Sequence, residues 1–165
     1  MLRNDIFNFI QLGTLIERGD NTARLIYARH FLFLPSPSVL HQKNGLAHWD
    51  MVMSAIGAKR AYNWLHKGRM EGPRVLNFLI ADQRMPRSLI YCYTNIVRQV
   101  DALEKAYGCS YETSRLARAI CDDFDAPKID ELVNFGLENF IAGFLAANSG
   151  LSDQLEIDFK FNPIG

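Results

Sequence analysis

The chain has 165 residues, 48% hydrophobic and 22% charged, and its eighteen basic and eighteen acidic side chains cancel to a net charge of zero. That length suits one globular domain with a core of its own. A neutral chain without a basic run offers no footprint for nucleic acid or an anionic membrane, and no uninterrupted apolar stretch is long enough to mark a membrane span. Residues 1–5 lead straight into an amphipathic pattern without signal-peptide architecture. Cys92, Cys109 and Cys121 are an odd count with no C-x-x-C pair. They argue against a disulfide framework or a zinc site and fit a reducing, cytoplasmic setting.

The amphipathic pattern runs from about residue 4 to about residue 33 and predicts a long first helix. Asn4 is its N-cap, and Asp5 in the first turn suits the helix dipole. Such a helix is a rod of about 40 Å, a bundle spine. Gln11, Thr14, Arg18, Thr22 and Arg29 are its expected solvent side. Pro35 and Pro37 end it, and residues 35–45 read as a loop. Residues 46–56 predict a short helix with Trp49, Val52, Met53 and Ile56 on one side and Gly57 as a stop. Residues 58–67, with Ala61, Tyr62, Trp64 and Leu65, make another that closes at Gly68. Pro73 opens a third at its first turn. The apolar run from Val75 to Ile80 is ambiguous with a buried strand by periodicity, but no second strand is available to pair with it.

A turn over residues 82–88 feeds a long helix that ends at Gly108. Leu89, Cys92, Tyr93, Ile96, Val100 and Leu103 are spaced along it by three and four. The next helix starts at Ser110, turns Leu116, Ala119 and Ile120 inward, and is broken by Pro127. The last runs from about residue 129 to residue 148, with Leu132, Val133, Leu137, Phe140, Ile141, Phe144 and Leu145 on its inner stripe. Gly136 and Gly143 each weaken a helix interior, and their shared face predicts close helix approach. Ile157 to Phe161 alternates and is read as a helix end or an extended tail. The fold class is therefore all-α, a helical bundle of about three long helices with shorter connecting helices.

Wound at 100° per residue, Glu17, Asp20, Asn21 and Arg24 share a sector roughly 100° wide. Ile6, Phe9, Ile10 and Gly13 lie to one side of them along the helix and Ala28 and Phe31 to the other. The bracketing predicts an inward-facing polar knot packed against other helices, and three readings of it stay open. It is a structural ion-pair network, since buried charge is tolerable only when paired. It is a ligand site in which Arg24 grips a carboxylate or phosphate and Asn21 adds polar contacts. Or it is a carboxylate-bridged metal site, although Glu17-x-x-Asp20 lacks the His of the usual device. Arg87 and Ser88 place a helix N-terminus against an anion, or Ser88 is a plain N-cap. His30, His41, His48 and His66 are scattered, and only His48, beside Trp49 and Asp50, is a ligand candidate. Tyr62, Trp64, Tyr91 and Tyr93 read as core. No phosphate loop, nucleophile elbow, H-E-x-x-H or Cys/His nucleophile pattern occurs, and no cofactor is expected.

Residues Leu12, Gly13, Glu17, Arg18, Asp20, Asn21, Thr22, Ala23 and Arg24 match the motif of the Alpha-E family, an all-helical bacterial family named for its Glu-Arg pair. Thr14 stands where the family usually has Arg, and Gly19 where it usually has Ala. A second block resembling the family runs over residues 75–82 and 86–89, and a third over residues 129–132 leading to Gly136 and Leu137. The resemblance implies one copy of a unit that usually occurs twice in tandem, with the start of this chain resembling the second copy. A single copy implies self-association or a second Alpha-E copy as partner, and an exposed apolar face. It also implies a place beside ATP-grasp-like ligases and transglutaminase-like peptidases in peptide synthesis or modification. The expected role is a non-catalytic binding or accessory component. The alternative is an enzyme or ligand-binding protein that uses Glu17, Arg18, Asp20, Asn21, Arg24, Arg87 and Ser88, with or without a divalent metal.

Overall fold

The structure, a computed structural model, describes residues 4–32, 42–67, 69–124 and 136–160. Its helices are α1 (Asp5–Leu32), α2 (Gln42–Ala55), α3 (Lys59–His66), α4 (Gly72–Ile80), α5 (Leu89–Tyr107), α6 (Glu112–Asp122) and α7 (Leu137–Phe159). No strand occurs among the described residues, so the fold is all-α, with α1, α5 and α7 as the three long helices. The local signals act as the sequence suggests. Asn4 Oδ1 accepts the Phe7 amide at 3.1 Å, and Ser88 Oγ accepts the Tyr91 amide at 3.1 Å. Pro73 sits in the first turn of α4. Gly108 ends α5 in the left-handed region, with φ of 69°.

Helices α1, α5, α6 and α7 pack side by side in a ring, each antiparallel to its neighbours. At one end of α1 the Tyr107 hydroxyl donates to Asp5 at 3.0 Å. Toward the other end Thr22 Oγ1 donates to the Arg87 carbonyl at 2.8 Å. The Thr113 amide and hydroxyl, at the start of α6, both donate to Asp158 at the end of α7. Phe9 and Phe159 close the α1–α7 side with ring centroids 4.9 Å apart. Helices α2 to α4 connect α1 to α5, and the Arg29 guanidinium lies 5.0 Å from the centroid of the Trp49 ring.

The bundle core is built from Leu12, Leu15, Ala23 and Ile26 of α1, Ile96, Val100 and Leu103 of α5, and Ile141, Phe144 and Leu151 of α7. Each large apolar side chain buried there contributes about 1.5–3 kcal/mol. Among the described residues a polar link crosses it. The Tyr93 hydroxyl donates to Asn148 Oδ1 at 2.7 Å, and Asn148 Nδ2 donates to the Ile16 carbonyl at 3.4 Å.

Several sequence expectations change. The buried stripe of α1 is Leu12, Leu15, Gly19, Thr22, Ala23 and Ile26, so Thr22 points inward at 1% exposure rather than toward solvent. Burying the ionic sector instead would desolvate two carboxylates and a guanidinium, at several kcal/mol per ion. Gln11, Thr14, Arg18 and Arg29 are half-buried. Helix α2 starts at Gln42, inside the expected loop. In α6 Ala117 is buried and Ala119 exposed, because α6 meets α5 and α7 one residue round from the expected face. Trp64 is 83% exposed, while Tyr62 and Tyr93 are core and Tyr91 is half-buried. Helix α7 continues through Ile157 to Phe159, so the alternating stretch is a helix end. The first part of the expected last helix, with Leu132 and Val133, lies outside the described residues. So do most of residues 35–45, His41, Gly68, residues 129–132, Phe161 and the His30 side chain.

Gly136 is the N-cap of α7 rather than an interior residue, and Gly143 faces open space and so marks no close helix contact. That contact is at Gly19. A Cβ added there would meet Phe144 Cζ at 3.4 Å and Cys92 Cβ at 3.9 Å. Both are van der Waals distances that Ala fills without overpacking. Gly19→Ala therefore raises stability by about 0.5–1 kcal/mol through helix propensity. A thermal melt reads this as a higher midpoint, and a lower midpoint would show that the α1 interface cannot yield.

Candidate functional site

The side chains of the α1 motif divide between two faces of the helix. On the outer face Asn21 Nδ2 donates to Glu17 Oε1 at 3.2 Å. One turn on, Arg24 donates from Nε to Asp20 Oδ2 at 2.6 Å and from Nη2 to Asp20 Oδ1 at 3.2 Å. These are i,i+4 pairs, the spacing that lets helical side chains meet. Glu17, Asn21 and Arg24 are exposed and Asp20 is half-buried. The knot therefore faces solvent, and the inward-facing cluster expected from the bracketing residues does not form. Ile6 and Ile10, which bracket it, are themselves exposed. The hydrogen bond to Asp20 raises the Arg24 pKa above its ordinary value.

On the inner face Gly19 and Thr22 fasten α1 to α5. The Thr22 hydroxyl reaches the Arg87 carbonyl, in the turn that precedes Ser88. Ser88 is fully buried. It donates to the Asp82 carbonyl at 2.7 Å while capping α5, so its hydroxyl is committed to structure. Arg18 lies one turn before Thr22, half-buried on the side toward α5. Neither Arg18 nor Arg87 has an ion-pair partner among the described residues. Both guanidinium groups act on Cys92. Burial pushes that thiol up to about 12, against a downward pull from the two arginines. Burial also pushes Cys121 up.

The expected site residues thus fall into two sets. Glu17, Asp20, Asn21 and Arg24 stand together on the outer face. Arg87 and Ser88 stand at the N-terminal end of α5, and Arg18 lies close enough to Cys92, one turn into α5, to act on its thiol. Thr22 joins α1 to the second set, and sequence reasoning missed it by placing it on the wet side. The available signal was its place beside Gly19 and between Leu15 and Ile26, in the apolar stripe. No three His, Cys, Asp or Glu side chains come together to hold a metal among the described residues.

Two open grooves lie elsewhere. One, of about 380 Å³, is lined by His66, Arg74, Asn77, Phe78, Asp82 and Arg84 among others. His66 Nε2 is buried there without a hydrogen-bond partner among the described residues. Its ring lies against Tyr62 and Phe78, with centroids 4.6 Å and 5.9 Å away. The other, of about 420 Å³, is lined by Thr94, Val97, Arg98, Arg118, Cys121 and Asp122. Neither includes a motif side chain.

A family model described as a predicted alpha-helical domain with a conserved ER motif, Alpha-E, matches residues 1–159. The chain belongs to the Alpha-E family. Glu17-Arg18 is its one Glu-Arg dipeptide, and the structure sends the two halves of that pair in different directions. In this Alpha-E chain Glu17 faces water and Arg18 turns toward α5. No curated protein and no solved structure matches the chain. No described helix is long and apolar enough to cross a membrane.

The exposure of Glu17 has a direct consequence. Glu17→Gln keeps an acceptor for Asn21 and removes a charge that water already solvates, so stability changes by less than about 0.5 kcal/mol. A urea midpoint within error of the parent is the expected reading. A loss of about 3–5 kcal/mol is the signature of a buried, orphaned partner and would contradict the outer placement.

Proposed function

We propose that this Alpha-E chain is a non-catalytic helical binding component of a bacterial peptide-synthesis or peptide-modification system. In that system it works with an ATP-grasp-like ligase and a transglutaminase-like peptidase. One observation carries the reading. The acid, amide and basic groups of the motif satisfy each other along the exposed side of α1, while the opposite side of the same turns anchors the helix. Paired ions on a rigid surface helix give a partner electrostatic complementarity and register. They do not hold an acid or base poised against a reacting atom. The buried thiol of Cys92 and the part-buried thiol of Cys121 add support, because both pKa values are raised and both groups rest protonated at neutral pH.

The test is binding and turnover with purified components. The chain is expected to bind an ATP-grasp-like ligase from the same genome and to raise its peptide-forming rate. Incubated alone with ATP and amino acids, or with a peptide, it is expected to be silent. Turnover by the chain alone, or indifference of both enzymes to its presence, overturns the reading.

A ligand-binding reading is favoured by one arrangement, the two arginines without acid partners, Arg18 and Arg87, beside the capped start of α5. That pair suits a carboxylate or phosphate. Under it, Arg18→Gln weakens binding of inorganic phosphate or of a C-terminal peptide carboxylate in calorimetric titration, and unchanged binding removes it.

A further inference from the structure

Helix α1 presents a stripe that the bundle leaves bare. Ile6 and Ile10 are 59% and 46% exposed. Gly13 has open space where a side chain would stand. Glu17, Asn21 and Arg24 follow, all exposed. The spacing of three and four puts them on one face. The charges along this stripe are antisymmetric, since Glu17 and Arg24 stand at equal distances either side of the midpoint between Asp20 and Asn21.

An antisymmetric charge pattern is what an isologous contact requires, because residue i must meet j while j meets i. We propose that a second copy of this chain covers the face, with α1 packed antiparallel on α1 about a two-fold axis between Asp20 and Asn21. The proposal rests on the reading of this face as a docking surface and names its occupant.

The same axis that brings Glu17 of one copy to Arg24 of the other does so twice. It sets each Asp20 against an Asn21 amide. It also sets Gly13 against Ala28, two residues small enough for the backbones to come close. The atoms needed are open. Arg24 spends Nε and Nη2 on Asp20, which leaves Nη1 for the Glu17 of the second copy. Glu17 accepts from Asn21 through Oε1, which leaves Oε2. In the dimer each guanidinium then bridges two carboxylates, a stronger arrangement than either exposed pair alone.

The test uses two charge reversals and their mixture. By native mass spectrometry and analytical ultracentrifugation the parent is expected to be a dimer at about 100 μM. Glu17→Arg alone sets arginine against arginine, and Arg24→Glu alone sets glutamate against glutamate. Each should raise the dimer dissociation constant by at least about tenfold. An equimolar mixture of the two variants restores both attractive pairs. It should therefore form a mixed dimer that neither variant forms with itself, which also shows that both are folded. A parent that stays monomeric overturns the proposal. So do single variants that dimerise like the parent, or a mixture that gives no mixed dimer. Ligase binding by a monomeric parent would preserve the accessory reading and remove only the self-pairing.

Discussion

Tyr93→Ala is expected to lower the unfolding free energy by about 3–5 kcal/mol, the range for deleting a buried aromatic ring. For a chain of this length that is a fall in melting temperature of about 10 °C. Tyr93 is fully buried, and its ring meets Phe144 edge-on with centroids 5.4 Å apart and Phe124 at 6.1 Å. The hydroxyl adds a separable part. Tyr93→Phe keeps the ring but removes the donor to Asn148 Oδ1, a buried 2.7 Å hydrogen bond. The cost is about 1–3 kcal/mol, because the amide oxygen is left in the core without that partner. Asn148→Leu alone orphans the phenol in turn. The double variant should lose less than the sum of the two single losses, since neither polar end then remains unpaired. Additive losses would mean that the pair is not coupled, and with it the account of the link between α5, α7 and the Ile16 carbonyl would fall.

Asp158→Ala is the second large effect, about 1–3 kcal/mol, because one carboxylate caps a helix that has no cap of its own. Tyr111 at the N-cap of α6 makes no side-chain capping bond. Asp158 reaches across from α7 and accepts the Thr113 amide at 2.8 Å and hydroxyl at 2.7 Å, and Gln154 Nε2 at 2.8 Å. Burial alone would push the Asp158 carboxyl up. The hydrogen bonds from Thr113 and Gln154 outweigh it and hold the pKa below the ordinary 3.8. The pH dependence follows with a definite sign. A group whose pKa is lower folded than unfolded stabilises fully above its unfolded value and loses that contribution as pH falls through its folded value. The stability gap between the parent and Asp158→Asn should therefore be full at pH 7 and close progressively in acid. The Arg115 hydrogen bond holds the Glu112 carboxyl below its ordinary value while the Asp158 charge pulls it up. Asp158→Asn therefore lowers it further, and a small part of the gap's pH dependence belongs to that pair. Urea midpoints at a series of pH values read the gap directly, and a gap that stays constant into acid would show that the charge of Asp158 is not what binds the α6 start to α7.

The two faces of α1 tie these results to the proposed role. The inner face is fixed by packing and by Thr22, so the outer face is held as a rigid surface rather than as a loop. A binding component needs that rigidity, since ordering a flexible segment on contact subtracts from affinity. A partner reading Glu17 and Arg24 meets them already fixed by Asn21 and Asp20.

The sequence by itself determined the helices. Apolar residues at three and four spacing, Asn4 and Ser88 as caps, Pro73 in a first turn and Gly108 after a last one are local signals, and local hydrogen bonding answers them. It also grouped Glu17, Asp20, Asn21 and Arg24 on one face, because helical geometry alone does that, and it carried the Alpha-E motif that the family match over residues 1–159 bears out. On which face of α1 turns inward the sequence pointed the wrong way, toward the ionic sector, whereas Leu12, Leu15, Thr22, Ala23 and Ile26 are buried. Two faces competed, one bracketed by Ile6 and Ile10 and one built on Leu12, Leu15, Ala23 and Ile26. Only the tertiary structure decided, because the balance lies between groups distant in the chain. Burying the second face leaves one hydroxyl to satisfy, that of Thr22, and the carbonyl that satisfies it belongs to Arg87, sixty-five residues away. Burying the first would strip water from two carboxylates and a guanidinium, a loss that no apolar bracket of this size offsets.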